Sequence, residues 1–148
     1  MAMTLSVGAR RDAQQRPAES RARDTTRRRR AFVVDDDPTT QLLLGDLAGE
    51  LGWQTERFAT LTALRHALAR DEPDLLILDD ALPDGSGGDF VAEMRSQDRL
   101  RRLPVVICTG AVPARRRLLG RLAPVLAKPF DLFSFERIVL DVTGTASG

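Results

Sequence analysis

Three short runs of consecutive apolar residues constrain this chain more than any other feature: Ala31-Phe-Val-Val34, Leu75-Leu-Ile-Leu78 and Val105-Val-Ile-Cys108. Each stops abruptly at polar residues, in Asp35-Asp36-Asp37-Pro38, Asp79-Asp80 and Thr109-Gly110. A strand with one wet face alternates apolar and polar residues, so a strand that is apolar throughout needs cover on both faces. The intervening segments supply that cover. Residues Thr39 to Leu51 place Leu44, Leu47, Ala48 and Leu51 at helical spacing, and Gly52 ends the pattern. Thr60 caps a helix with Leu61, Leu64 and Leu68 on one face. After the loop Pro83-Asp-Gly-Ser-Gly-Gly88 a helix runs through Phe90, Val91 and Met94. Residues 114–122 make a short Arg-rich helix, and a last helix from about Leu132 stacks Phe135, Ile138, Val139 and Val142.

With Gln54 to Phe58 and Val125 to Ala127 as two further strands, five strands alternate with five helices. This predicts an α/β fold: a doubly wound, five-stranded parallel sheet, flavodoxin-like, with strand order 2-1-3-4-5. Ligands of such sheets sit at the carboxyl ends of the strands, beside the point where strand order reverses.

Charge divides the chain at Ala31. Residues 1–30 hold nine Arg against three acids, and residues 31–148 hold thirteen basic residues against eighteen acids. The first segment has few large apolar residues and no periodic apolar face, so it cannot offset its ordering entropy. The expected organisation is a disordered Arg-rich tail over 1–30, one domain over 31–143 and a flexible C-terminus over 144–148. No apolar run approaches the ~18 residues of a membrane span, and no apolar N-terminal stretch resembles a signal sequence. The expectation is a cytoplasmic protein. One cysteine, Cys108, excludes an internal disulfide, and one histidine, His66, leaves no zinc site and no Cys/His nucleophile pair.

The predicted sheet gathers Asp35, Asp36, Asp79, Thr109 and Lys128 at one edge. Neighbouring strands lie ~4.8 Å apart, so side chains from two strand ends can share one ion. Clustered carboxylates need a cation, or one of them must hold a proton. An all-oxygen set favours Mg²⁺. Lys128 is the only lysine, against twenty-one arginines. A position that keeps Lys in such a composition needs a compact ammonium on a flexible stem.

The segment from Phe32 to about Val142 resembles the response regulator receiver domain of bacterial two-component systems. Phe-Val-Val-Asp35-Asp36-Asp37-Pro is similar to the family's acidic pair. Leu-Ile-Leu-Asp79-Asp-Ala-Leu-Pro83 is similar to its phosphoacceptor motif, and Gly87 fits the glycine of the following turn. Val-Val-Ile-Cys-Thr109-Gly110 is similar to its hydroxyl position, and Leu-Ala-Lys128-Pro129-Phe130 to its Lys-Pro turn. The resemblance implies that Asp79 accepts a phosphoryl group from a phosphohistidine on a histidine kinase or histidine phosphotransfer protein. It implies Mg²⁺ held by Asp36, Asp79 and the backbone carbonyl of Ala81, with Asp35 acting mainly through water. Thr109 and Lys128 would contact the phosphoryl oxygens. Such a domain catalyses only its own phosphorylation and dephosphorylation and is not an enzyme acting on a separate substrate.

Three departures bear on output. The family's Tyr or Phe three residues before the lysine is Val125 here, the chain has no tyrosine, and the stretch from Thr109 to Lys128 is about one helical turn shorter than usual. Only Thr-Gly-Thr-Ala-Ser-Gly follows the last helix, so the expectation is a stand-alone receiver that acts through a downstream protein. A dehalogenase-like phosphatase, with its acids as D-x-D after the first strand, is a rival from another class, and no segment between the elements reads as its cap domain. Nucleic-acid binding by the tail lacks aromatic residues between the arginines for base stacking.

Overall fold

The fold is that of a computed structural model, which describes residues 28–144. The disorder expected for the tail falls largely on residues outside this range. Five parallel strands form one sheet: β1 (Arg30–Val34), β2 (Gln54–Phe58), β3 (Leu75–Leu78), β6 (Val105–Thr109) and β7 (Val125–Ala127). Their order is β2-β1-β3-β6-β7, the expected 2-1-3-4-5 once a small extra hairpin is set aside. That hairpin, β4 (Ala81–Leu82) with β5 (Gly85–Ser86), lies in what reads from sequence as a plain loop. The helices are α1 (Pro38–Glu50), α2 (Leu61–Arg70), α3 (Gly87–Arg95), α4 (Pro113–Leu119) and α5 (Leu132–Thr143). None of the helices among the described residues is long and apolar enough to cross a membrane.

The continuous apolar runs divide their side chains between two cores. Phe32, Val34, Leu76, Leu78, Val105 and Ile107 pack with α2, α3 and Leu119 of α4. Ala31, Val33, Leu75, Ile77, Val106 and Cys108 pack with α1 and α5. Strand side chains alternate faces with period two, so a slip by one residue would exchange the two sets. Each fully buried Leu, Ile or Val contributes roughly 1.5–3 kcal/mol. The register that satisfies both cores pairs Val34 with Leu78 and Ile77 with Val106. It therefore sets Asp35 and Asp79 side by side at the next position. The ladder continues through them, with Asp79 N–H donating to the Val34 carbonyl at 3.0 Å and Asp35 N–H to the Phe58 carbonyl at 3.0 Å.

Local chemistry starts the helices where the register needs them. The side chains of Asp37, Thr60, Ser86 and Asp131 accept from the amides of Thr40, Ala63, Asp89 and Ser134, at the starts of α1, α2, α3 and α5. Each such cap is worth about 1 kcal/mol. The start of α4, at Val112, has no side-chain cap. β1 starts at Arg30, one residue before the boundary expected from composition. The Arg30 guanidinium pairs with Asp71 and, at 2.5 Å, with Glu56, and Arg29 lies 4.4 Å over the buried Trp53 ring. Cys108 is an enclosed core residue whose thiol burial pushes up to about 12. His66 is exposed on α2.

Two outcomes test this local account. Asp84, in the β4–β5 turn, accepts from the Thr62 hydroxyl at 2.7 Å and from the Leu61 and Thr62 amides at 2.9 Å each. The Thr62 hydroxyl first, then those amides, pull its pKa from 3.8 down to about 2. A carboxylate depressed on folding stabilises above its unfolded pKa and loses that contribution as pH falls through the folded one. The melting-temperature gap between wild type and Asp84→Asn should be widest above pH 4 and should close towards pH 2. The second outcome concerns close packing. A Cβ on Gly87 would sit 2.1 Å from the Asp79 carbonyl oxygen, whereas one on Gly49, inside α1, meets nothing within 4 Å. Gly87→Ala should cost at least roughly 1–3 kcal/mol. Gly49→Ala should gain about 0.4–1 kcal/mol. Thermal melts of the two variants check the opposite signs.

Candidate functional site

The carboxyl edge of the sheet carries one lysine among several acids. Lys128 follows β7, and its Nζ donates to Asp35 Oδ2 at 2.7 Å and to Asp79 Oδ2 at 3.2 Å. Asp35 and Asp79 are buried, so their charges could not stand there unpaired. Burial by itself would lower the lysine's pKa, but the hydrogen bond to Asp35 and the charges of Asp79 and Asp35 outweigh it. The ammonium is therefore held above its ordinary value and stays charged. Lys128 N–H also donates to the Thr109 carbonyl at 2.9 Å, and a cis peptide bond joins Lys128 to Pro129.

Each acid is positioned by its neighbours. Asp35 Oδ1 accepts the Asp37 amide at 2.9 Å, and Gln41 Nε2 from α1 holds the Asp35 carbonyl at 2.6 Å. Asp79 Oδ1 accepts the Asp80 amide at 2.7 Å, with the Ala81 amide at 3.4 Å. Asp36 is exposed at the mouth. Thr109 is buried at the end of β6, and its hydroxyl accepts the Ala111 amide at 3.2 Å. Ala81 is exposed two residues past Asp79, where β4 starts. The structure thus brings Asp35, Asp36, Asp79 and Lys128 into one cluster, with Thr109 and Ala81 on the loops beside it.

Oxygen atoms of Asp35, Asp36 and Asp79 lie within 4.8 Å of one another. The donor set is all carboxylate, the hard-oxygen chemistry that suits Mg²⁺. Three carboxylates against one ammonium leave a formal charge of minus two, which one divalent cation balances. The residues present fit such an ion.

A second charged cluster escaped the sequence reading. Asp80, one residue past the Asp79 position, points to the other face of the sheet, towards α3 and α4. Its Oδ1 accepts the Ser86 hydroxyl and the Gly88 amide at 2.9 Å each. Arg115 of α4 grips it with two donors, Nε to Oδ2 at 2.9 Å and Nη2 to Oδ1 at 3.0 Å. Those Arg115 bonds, more than the opposing effect of burial, hold the Asp80 carboxyl below its usual range. The period-two alternation was the available signal: adjacent aspartates at a strand end must face opposite layers. Asp37, also without a role from sequence, is the α1 cap.

Residues 31–139 match the family model of the response regulator receiver domain. The response regulator protein PmrA of Pseudomonas aeruginosa is 35% identical over 122 residues, 72% of this chain and 51% of that protein. The transcriptional regulatory protein GltR of the same species is 31% identical over 92 residues, 60% of this chain and 38% of that protein. The chain thus spans about half the length, or less, of these curated relatives. Among solved structures, the receiver domain of sensor histidine kinase PA1611 from P. aeruginosa, with a magnesium ion coordinated in its active site cleft, superposes with a TM-score of 0.71 at 25% identity, over 80% of this chain and 99% of that one. Chemotaxis response regulator CheY4 of Vibrio cholerae shares the fold, with a TM-score of 0.71 at 20% identity over 78% of this chain and 99% of that one. A family match over most of the chain, on a sheet whose carboxyl edge gathers the acids and the lysine, places this protein among the response regulator receiver domains of two-component signalling.

Proposed function

We propose that this receiver accepts a phosphoryl group on Asp79 and that the phosphorylated Asp79 is its signal. The observation that carries this reading is the Lys128 ammonium between Asp35 and Asp79, at 2.7 and 3.2 Å. A carboxylate held by amides on one side and an ammonium on the other is aimed rather than free to rotate. In the transfer, a carboxylate oxygen of Asp79 forms a bond to phosphorus as the phosphorus–nitrogen bond of a donor phosphohistidine breaks. The electron pair of that bond stays with the imidazole. The partner is a histidine kinase or a histidine phosphotransfer protein.

Transfer of this kind needs positioning and neutralisation of oxygen charge more than covalent help. Lys128 would neutralise one phosphoryl oxygen, and the Thr109 hydroxyl would hold another. Asp36, Asp79 and the Ala81 carbonyl would hold Mg²⁺ directly, and Asp35 would do so through water. Bound there, Mg²⁺ supplies charge neutralisation at the phosphoryl oxygens. Val125 is half-buried against the core beneath α2, α3 and α4. It is β-branched and restricted at χ1, so it cannot swing between exposed and buried positions as a large ring would. The phosphorylated edge itself is then the surface a downstream protein reads.

Incubation with a small acyl phosphate and Mg²⁺, followed by intact mass, tests the assignment. Wild type and Asp80→Asn should each gain one phosphoryl mass that hydroxylamine removes, and Asp79→Asn should gain none. Equal labelling of the two variants would transfer the role away from Asp79.

A further inference from the structure

We infer that Asp80 and Arg115 form a clasp that ties the loop carrying Asp79 to the loop carrying Thr109, and that Arg115 is thereby a positioning residue for the chemistry at Asp79. The second half of this inference rests on the phosphoacceptor reading. The first half rests on geometry alone.

Three observations converge on the clasp. The first is its anchoring. The Asp80 carboxylate, 11% exposed as a side chain, meets both forks of Arg115, the Ser86 hydroxyl and the Gly88 amide. Arg115 Nη2 also reaches Ser86 Oγ at 3.0 Å. Paired, planar bonds of this kind fix orientation as well as distance. The second is α4 itself. It has seven residues and no side-chain cap, unlike the other four helices described. Its first turn is held instead by Arg115 to Asp80 and by Arg116 Nη1 to the Ala111 carbonyl at 2.6 Å. The third is Gly88. A Cβ there would meet Leu119 Cδ2 at 2.6 Å and both Arg115 Nη2 and Asp80 Oδ1 at 3.3 Å. A bare backbone lets α4 close onto the start of α3 at this point.

The consequence runs in two directions from the ion pair. On one side, the Asp80 amide holds Asp79 Oδ1 at 2.7 Å, so any movement of residue 80 reorients the acceptor carboxylate. On the other, Arg115 stands six residues past Thr109, and Ala111 ties the Thr109 hydroxyl to Arg116, the next residue of α4, through its amide on that hydroxyl and its carbonyl accepting from Arg116 Nη1. One salt bridge therefore governs how closely the Asp79 and Thr109 loops approach each other. Misplacement of a reacting group by about 1 Å costs up to 100-fold in rate.

The test uses the full chain with Arg115→Gln, Asp80→Asn and the double variant, well below their melting temperatures. Amide exchange on the resting proteins should rise in both segments, 80–88 and 110–116, for each single variant. A rise confined to the mutated segment would overturn the clasp. The rate of acyl-phosphate labelling at saturating Mg²⁺ should fall about three- to tenfold in each single variant, and no further in the double, because both changes break one interaction. In that reaction the Asp79 oxygen bonds phosphorus as the donor's acyl oxygen departs with the electron pair. Calorimetric titration of each variant sets the saturating Mg²⁺, so that a change in affinity passed on through Asp79 does not enter the rate. Labelling rates equal to wild type, or losses that multiply in the double variant, would overturn the positioning role. A wild-type protein that takes no phosphoryl group would remove that role together with the reading beneath it, while the exchange result still decides the clasp.

Discussion

A single ammonium between two buried carboxylates is the interaction on which the working edge of this protein depends. Asp35 and Asp79 lie on adjacent central strands because the two cores leave no other register. Like charges so close together, out of water, would oppose folding by several kcal/mol if left uncompensated. Lys128 reaches both from the end of β7, two strands from β3 and three from β1, and the pair in turn holds Lys128 charged. The arrangement still leaves negative charge in excess. That excess favours a divalent cation, and in the proposed function the cation and the ammonium would share the oxygens of the phosphoryl group.

The same strand geometry explains why two adjacent aspartates do different work. Side chains alternate across the sheet, so Asp79 turns towards Lys128 and Asp80 towards α4. Each acid finds a cation on its own side, Lys128 for one and Arg115 for the other. The choice of cation fits each task. A bidentate guanidinium suits a fixed junction between helix and loop, and a lone ammonium would suit an oxygen that changes partners in the proposed transfer. Close approach at two glycines completes the junction, Gly87 against the peptide between Asp79 and Asp80 and Gly88 against the side chains of Leu119, Arg115 and Asp80.

Much of this was legible in the residues. The unbroken apolar runs predicted a doubly covered parallel sheet, and their ends marked Asp35, Asp79 and Thr109. The lone lysine singled itself out against so many arginines. What remained hidden had definite causes. Arg115 is one of four arginines between 115 and 121, and no local pattern says which one faces inward. Its partner lies 35 residues away. The β4–β5 hairpin pairs only two residues per strand, too few for a periodic signal. Arg30 falls with the basic tail because neither its charge nor any apolar periodicity marks it as the start of a strand. Its ion pairs to Asp71 and Glu56 form only once β1 is flanked by β2 and the end of α2. Gln41, which bridges the Asp35 and Phe58 carbonyls, looks like any polar helix residue until the strand ends are in place.

The most direct measurement is a crystal structure of the protein with Mg²⁺ and beryllofluoride, a mimic of the phosphoryl group. The account predicts beryllium bonded to an Asp79 carboxylate oxygen, Mg²⁺ in contact with Asp36 and Asp79, and Lys128 Nζ moved from the carboxylates onto a fluoride. An ion bound away from these acids, or a beryllofluoride adduct on Asp80 or on no residue at all, would contradict it.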